Sequence, residues 1–247
     1  MRYMLWLILL VPFFLSANFI GMNNGARPLA LGNAFVALSN DPDAVFFNPA
    51  GLARINQYSL KASHQNLYDI SDLYNDMIAI TFPTPLFRTG IALQKMYLVD
   101  VYSEQIIYIS AAGIIHLKNI PIRFGASLKY ESVNVKDYEN VKNPKSYDSD
   151  IGIIIDISDK IFFGYSLKYL LEPKFKFISN SDKIDQKHTA GICYNWRSSV
   201  HFLADYVFTH NMSQWNVGSE IWFYDVFAAR LGMYDEKLTI GFGLKSS

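Results

Sequence analysis

Residues 160–171 read Lys-Ile-Phe-Phe-Gly-Tyr-Ser-Leu-Lys-Tyr-Leu-Leu, and their alternation decides the fold class. Ile161, Phe163, Tyr165, Leu167, Tyr169 and Leu171 fall on one face of an extended chain, while Gly164, Ser166 and Lys168 fall on the other. One face suits lipid and the other suits water. Residues 121–130 repeat the design, with Ile122, Phe124, Ala126, Leu128 and Tyr130 set against Arg123, Gly125, Ser127 and Lys129. Tyr130 and Tyr169 each follow a lysine at equivalent strand ends, where the interfacial aromatic girdle of a membrane-spanning barrel falls. Both tyrosines are therefore expected on the outer face.

Working outward from these two segments, the same period of two gives strands near 55–65, 73–82, 87–97, 104–115, 120–131, 147–157, 160–171, 186–195, 198–208, 213–223, 226–234 and 237–245. Strands of about ten residues match a tilted membrane crossing. The connections supply a check. Glu131 to Ser146 and Glu172 to Asp185 are the longest, and both follow odd-numbered strands. Pro83 to Leu86, Lys118-Asn119, Ser158-Asp159, Trp196-Arg197 and Tyr224-Asp225 are short, and all follow even-numbered ones. Long loops on one side and short turns on the other are the habit of outer-membrane barrels. A soluble β-sandwich rarely keeps strands of this length with an aromatic outer face. The expected fold is all-β: an antiparallel transmembrane β-barrel of about 12–14 strands over residues 55–247.

Composition agrees. Of the 247 residues only 18% are charged while 15% are aromatic, too little charge and too much ring for an ordinary soluble domain. Beyond the N-terminus no run of about 18 apolar residues offers a helical span. The 22 basic and 22 acidic residues cancel, so no polybasic field exists to recruit nucleic acid. Arg2, the apolar run Met4 to Leu15 and the small residue Ala17 read as a cleaved secretory signal over residues 1–17. Cys193 is the lone cysteine, so neither an internal disulfide nor a cysteine metal cage is available to the exported chain.

Between signal and strands, residues 18–54 read as a compact plug, or hatch, inside the lumen. Its core, 25–53, is GARPLALGNAFVALSNDPDAVFFNPAGLA. Gly25, Gly32 and Gly51 permit close approach or positive φ, Asp41-Pro42-Asp43 marks a turn, and Asn48-Pro49 caps a short helix. Few charges, Arg27, Asp41 and Asp43, fit a segment meant to be enclosed.

The pattern Gly25-Ala26-Arg27, then the LGNAFVA run containing Gly32 and Phe35, the DPD turn, and Phe46-Phe47-Asn48-Pro49-Ala50 resembles the N-terminal hatch of FadL-like outer-membrane proteins, particularly their PorV/PorQ branch. The resemblance implies a 14-stranded barrel around the hatch, with Asn48, Pro49 and Ala50 fixing the hatch and Phe35, Phe46 and Phe47 offering apolar contact to a ligand. It also implies one of two roles. FadL-like members move long-chain fatty acids or other hydrophobic compounds, and PorV-like members handle exported proteins in type IX secretion. The chain ends at Leu244-Lys245-Ser246-Ser247, about two strands short of that pattern, so the expectation is either closure with 12 strands or a shortened member.

An enzyme needs a site, and no HExxH, GxSxG, P-loop or GxGxxG context is present. No histidine has a serine two residues later, the arrangement used by barrel phospholipases. His201 and Asp205 share an inward face with Glu220 on the next strand, and are read as groups lining a wet lumen. Asp148, Asp150 and Asp156 lack the spacing of a calcium loop and are read as solvated carboxylates. The sequence thus points to a non-enzymatic outer-membrane channel for hydrophobic small molecules, without metal or cofactor. A secretion accessory that binds exported cargo is the alternative.

Overall fold

The computed structural model describes residues 25–84, 86–136, 143–176, 181–197 and 199–245. The expected secretory signal and the first part of the expected hatch lie outside the described residues. The hatch comprises α1 (Ala26–Ala30), α2 (Ala44–Phe47) and a 3₁₀ turn (Pro49–Arg54). The strands are β1 (Ser59–Asn66), β2 (Leu73–Pro83), β3 (Arg88–Leu98), β4 (Tyr102–Leu117), β5 (Ile120–Val135), β6 (Lys145–Asp156), β7 (Ile161–Lys168), β8 (Lys174–Lys176), β9 (Ser181–Lys183), β10 (Lys187–Trp196), β11 (Val200–Phe208), β12 (Ser213–Phe223), β13 (Phe227–Tyr234) and β14 (Lys237–Leu244).

Twelve of these form one antiparallel ladder in chain order, β1 to β7 followed by β10 to β14. All twelve strands expected from alternation are present. The remaining two, β8 and β9, pair only with each other and arise within the Glu172–Asp185 connection, which alternation alone leaves as a loop. β1 begins at Ser59, a few residues later than expected, because the 3₁₀ turn runs through Arg54 and buries Ile55 with the hatch.

The connections keep their parity. Lys118-Asn119 and Tyr224-Asp225 each turn the chain with two successive positive φ values, 47° and 69°, then 52° and 56°. That is the type I′ geometry whose twist matches the strands it joins. The long connections, between β5 and β6 and between β7 and β10, lie together at the opposite end.

Period-two burial follows the sequence pattern along β5. Phe124, Ala126 and Leu128 are exposed while Gly125, Ser127 and Lys129 are buried. Outward rings gather at both ends of the strands. At the long-loop end His188 stacks on Phe208 with ring centres 4.7 Å apart and meets Tyr165 at 2.7 Å, and Tyr206 lies 4.8 Å from Trp215. At the short-turn end Phe227 sits between Phe223 and Phe242, at 6.0 and 5.8 Å. Two rings of aromatics with aliphatic residues between them are the outer surface of a membrane barrel.

Tyr130 takes its girdle place beside Tyr147, ring centres 5.4 Å apart. Tyr169 does not. β7 stops at Lys168, Tyr169 adopts φ 57°, and its amide donates to the Asp150 carboxylate at 3.0 Å. This break in the extended backbone turns the ring inward, where it is buried. Asp148, Asp150 and Asp156 are likewise not solvated. Lys129 lies 2.7 and 2.8 Å from Asp148 and Asp150, and Asp156 pairs with Arg54 at 2.7 Å and with Arg123.

Candidate functional site

The site is the hatch and the wall it lies against. Strands can approach a plug backbone closely only where they carry no side chain, and glycines supply that bed. Gly125 and Gly152 are direct cross-strand partners, as are Gly164 with Gly191 and Gly218 with Gly232. A Cβ built on any of these six would fall within 3.0 Å of another atom, the hatch being met at Pro49, Asn48, Val36, Leu31 and Gly32. Gly241 on β14 meets Ala30 in the same way, and Gly90 on β3 meets Val45. These glycines occupy inward positions of the alternating pattern, so the bed is written into the strands. Gly32 itself has φ 61°, and its close approach to the β13 backbone at Met233 leaves no room for a side chain.

Polar groups then tie the hatch down. Asp205 on β11 is fully buried, and its Oδ2 accepts from the amides of Phe35 at 2.8 Å and Val36 at 2.9 Å. Arg27 donates to Glu220 on β12 through Nε at 2.9 Å and Nη2 at 2.7 Å, and Arg230 on β13 donates to the same carboxylate at 2.6 Å. Arg54 donates to the carbonyls of Ala37 and Leu38 and to Asp156. From above, the Lys168 ammonium donates to the Phe46 carbonyl. Charge-assisted bonds of this kind contribute about 1.5–3 kcal/mol each.

Asn48 sits where these restraints converge. Its Oδ1 accepts from Ala50 N at 3.1 Å, capping the 3₁₀ turn whose first residue is Pro49. Its Nδ2 is shared among the carbonyls of Val36 at 2.9 Å, Ile153 at 3.2 Å and Tyr165 at 3.3 Å. One amide thus joins two parts of the hatch to β6 and β7.

A second charged group faces β1. Lys61 contacts both Asp41, at 3.2 Å, and Asp43, and Arg27 reaches Asp41 at 2.9 Å. Burial acts to raise the Asp41 carboxyl, but Arg27 and Lys61 outweigh it and hold the group below the usual range. Asp43 is pushed up to about 7, first by burial and then by the neighbouring Asp41 charge, despite Lys61. Gly25, at φ 77°, lies against the Asp43 carboxylate with no space for a Cβ, and Ala26 and Arg27 open α1 directly after it.

The aromatic candidates are packing residues in this arrangement. Phe35 is fully buried with its ring edge-on to Phe47 at 5.5 Å, and Phe46 is buried edge-on to Tyr108 at 5.2 Å. Above the hatch a continuous apolar cluster runs from Val45, Phe46 and Leu52 through Tyr108 and Tyr169 to Phe175 and Ile184. Phe175 belongs to β8, so the hairpin of the longest loop reaches back into the lumen.

Lys61, Asp156, Lys168, Asp205, Glu220 and Arg230 are among the contacts that sequence reading did not assign to the hatch. Asp205 and Glu220 do not line a wet lumen; both are fully buried, with His201 4.0 Å from Glu220. A usable signal did exist. Asp205 is the cross-strand partner of Gly191 and Arg230 that of Gly241, and Glu220 stands two residues from Gly218 on the same face.

The fold and this arrangement define a plugged transmembrane β-barrel. No protein-family model matches the chain, and no curated protein matches it. Solved structures do. The chain is similar to the CymD monoaromatic hydrocarbon channel at 9% identity, with 89% of this chain and 88% of that chain covered and a TM-score of 0.64. It is similar also to the Ralstonia pickettii toluene transporter TbuX at 9% identity, with the same coverage and a TM-score of 0.58. At such identity the likeness is one of fold.

Proposed function

We propose that the protein is an outer-membrane channel for hydrophobic small molecules, exported by its N-terminal signal and gated by the hatch. The observation that carries this reading is the hatch itself, a short segment laid on a glycine bed and held by side-chain bonds from β1, β7 and β11 to β13. The likeness to channels for monoaromatic hydrocarbon and toluene supports the same reading. Asn48, Pro49 and Ala50 anchor the gate, Gly25, Ala26, Arg27 and Gly32 fit its approach to the wall, and Phe35, Phe46 and Phe47 pack its body.

The test is uptake into liposomes carrying the refolded chain, with radiolabelled toluene and a long-chain fatty acid as probes. Uptake of either above empty liposomes, increased by loosening the hatch, is the expected result. Equal gel migration before and after boiling in detergent, or uptake no faster than through lipid alone, overturns it.

A further inference from the structure

The connection from β7 to β10 sends side chains back toward the hatch. It is described over 169–176 and 181–186, and these two arms form a strap. The strap follows directly on Lys168, whose ammonium donates to the Phe46 carbonyl and lies 5.3 Å from the centre of the Phe47 ring. At the next residue the positive φ of Tyr169 turns the chain inward, and the amides of Tyr169 and Leu171 donate to Asp150 and Asp148 at 3.0 and 2.9 Å. The strap thus starts at a residue that grips the hatch.

The two arms are fastened to each other. β8 pairs with β9, the Ile184 amide donates to the Pro173 carbonyl at 3.0 Å, and Lys183 lies 2.8 Å from Glu172. The Gln186 side chain donates to the Leu170 carbonyl at 3.1 Å. Held in this way, each arm places one buried apolar side chain, Phe175 or Ile184, in the same cluster as Val45, Phe46 and Leu52 of the hatch. Tyr108 of β4, edge-on to Phe46 at 5.2 Å, belongs to that cluster as well.

A core shared in this way ties two segments together energetically. Lifting the strap withdraws Phe175 and Ile184 and strips cover from the hatch side chains, and loosening the hatch strips cover from the strap. Each closure stabilises the other, and such a coupling is reciprocal. We propose that strap and hatch are one coupled pair of closures, so that release of either favours release of the other. In the channel proposed above, a passing molecule meets them as a single step rather than as two independent gates; the coupling itself does not depend on that reading.

Backbone hydrogen exchange, read by mass spectrometry on the full refolded chain in detergent micelles, tests the coupling. No transported molecule is needed, so a failure of the channel reading leaves the test intact. In Phe175→Ala, exchange across hatch residues 29–51, including the Phe35 and Val36 amides bound by Asp205, is expected to accelerate about fivefold or more, the lower end of couplings between sites. β12 and β13 contribute no residue to the shared cluster and are expected to keep their wild-type rate. Unchanged exchange in the hatch, or equal acceleration in β12 and β13, overturns the proposal. The reverse arm uses Asp205→Ala, which frees the hatch from β11, a strand that also lies outside the shared cluster. The strap amides of Leu171 and Ile184 are expected to accelerate about fivefold or more, and unchanged rates there overturn the proposal as well. Where one variant does not refold, the other decides.

Discussion

The guanidinium of Arg27 in the hatch and the carboxylate of Glu220 in β12, 193 residues apart in the chain, meet through two hydrogen bonds of 2.9 and 2.7 Å. Glu220 is fully buried and holds Arg230 as well. Glu220→Ala therefore removes the carboxylate that both guanidinium groups share, leaving Arg27 on Asp41 and Asn40 alone, a loss of about 3–5 kcal/mol for a broken buried pair. The hatch is expected to become protease-sensitive within residues 25–53 while the barrel keeps its heat-modifiable migration. A digestion pattern identical to wild type would refute the latch.

Asn48→Ala removes one cap and one shared amide donor. Loss of a helix-capping side chain costs about 0.5–2 kcal/mol, and the Val36 carbonyl loses its 2.9 Å partner as well. Cleavage across the hatch is expected to accelerate, with less effect than Glu220→Ala because no buried charge is exposed. Asn48→Asp supplies the control. It keeps the acceptor for Ala50 but sets a buried carboxyl against the carbonyls of Val36, Ile153 and Tyr165, so cleavage is expected to be faster than in Asn48→Ala.

The glycine bed predicts a steric asymmetry. Gly125→Ala and Gly152→Ala push a methyl into Pro49 and Asn48 respectively, and overpacking of this kind costs about 1–3 kcal/mol. Gly113→Ala meets only the movable ring of Phe124 and should be tolerated. Refolding yield and probe uptake of the three variants measure this, and equal behaviour of all three would count against the bed.

The charged group facing β1 makes hatch stability depend on pH. Asp43 has its folded pKa raised to about 7, so its contribution is complete below the ordinary aspartate range and is lost as pH climbs through about 7. Asp41 is shifted the other way, and its contribution is present above the ordinary range and lost as pH falls through its lowered value. Protection of the hatch from protease should peak in mildly acidic solution. Asp43→Asn should flatten the decline toward neutral pH, whereas Asp41→Asn should weaken the hatch at pH 7 and above. A wild-type profile that stays flat from pH 4 to 8 would contradict the assignment.

The strands were readable because alternation is a direct consequence of a wall with two different faces. Gly125 and Gly164 could be placed inward by counting alone, and so could Lys129. What alternation could not show was the destination of the inward charges. Asp205 and Glu220 look alike in sequence whether they meet water or a hatch amide, since the partners lie about 170 and 193 residues away. Tyr169 was misplaced for a local reason: its positive φ breaks the period of two at the last step, and tyrosine gives no warning of that conformation. The β8–β9 hairpin was missed because three-residue strands are too short to show a period.

β1 and β14 are the outermost strands of the ladder, and the same short segment grips both. Lys61 on β1 reaches Asp41 and Asp43, while Thr239 on β14 donates to the Ala30 carbonyl at 3.3 Å. One short segment therefore holds the first and last strands of the ladder. In the channel proposed above, passage would be made by local yielding of the segment between those two grips, and loosening one edge strand is expected to be felt at the other.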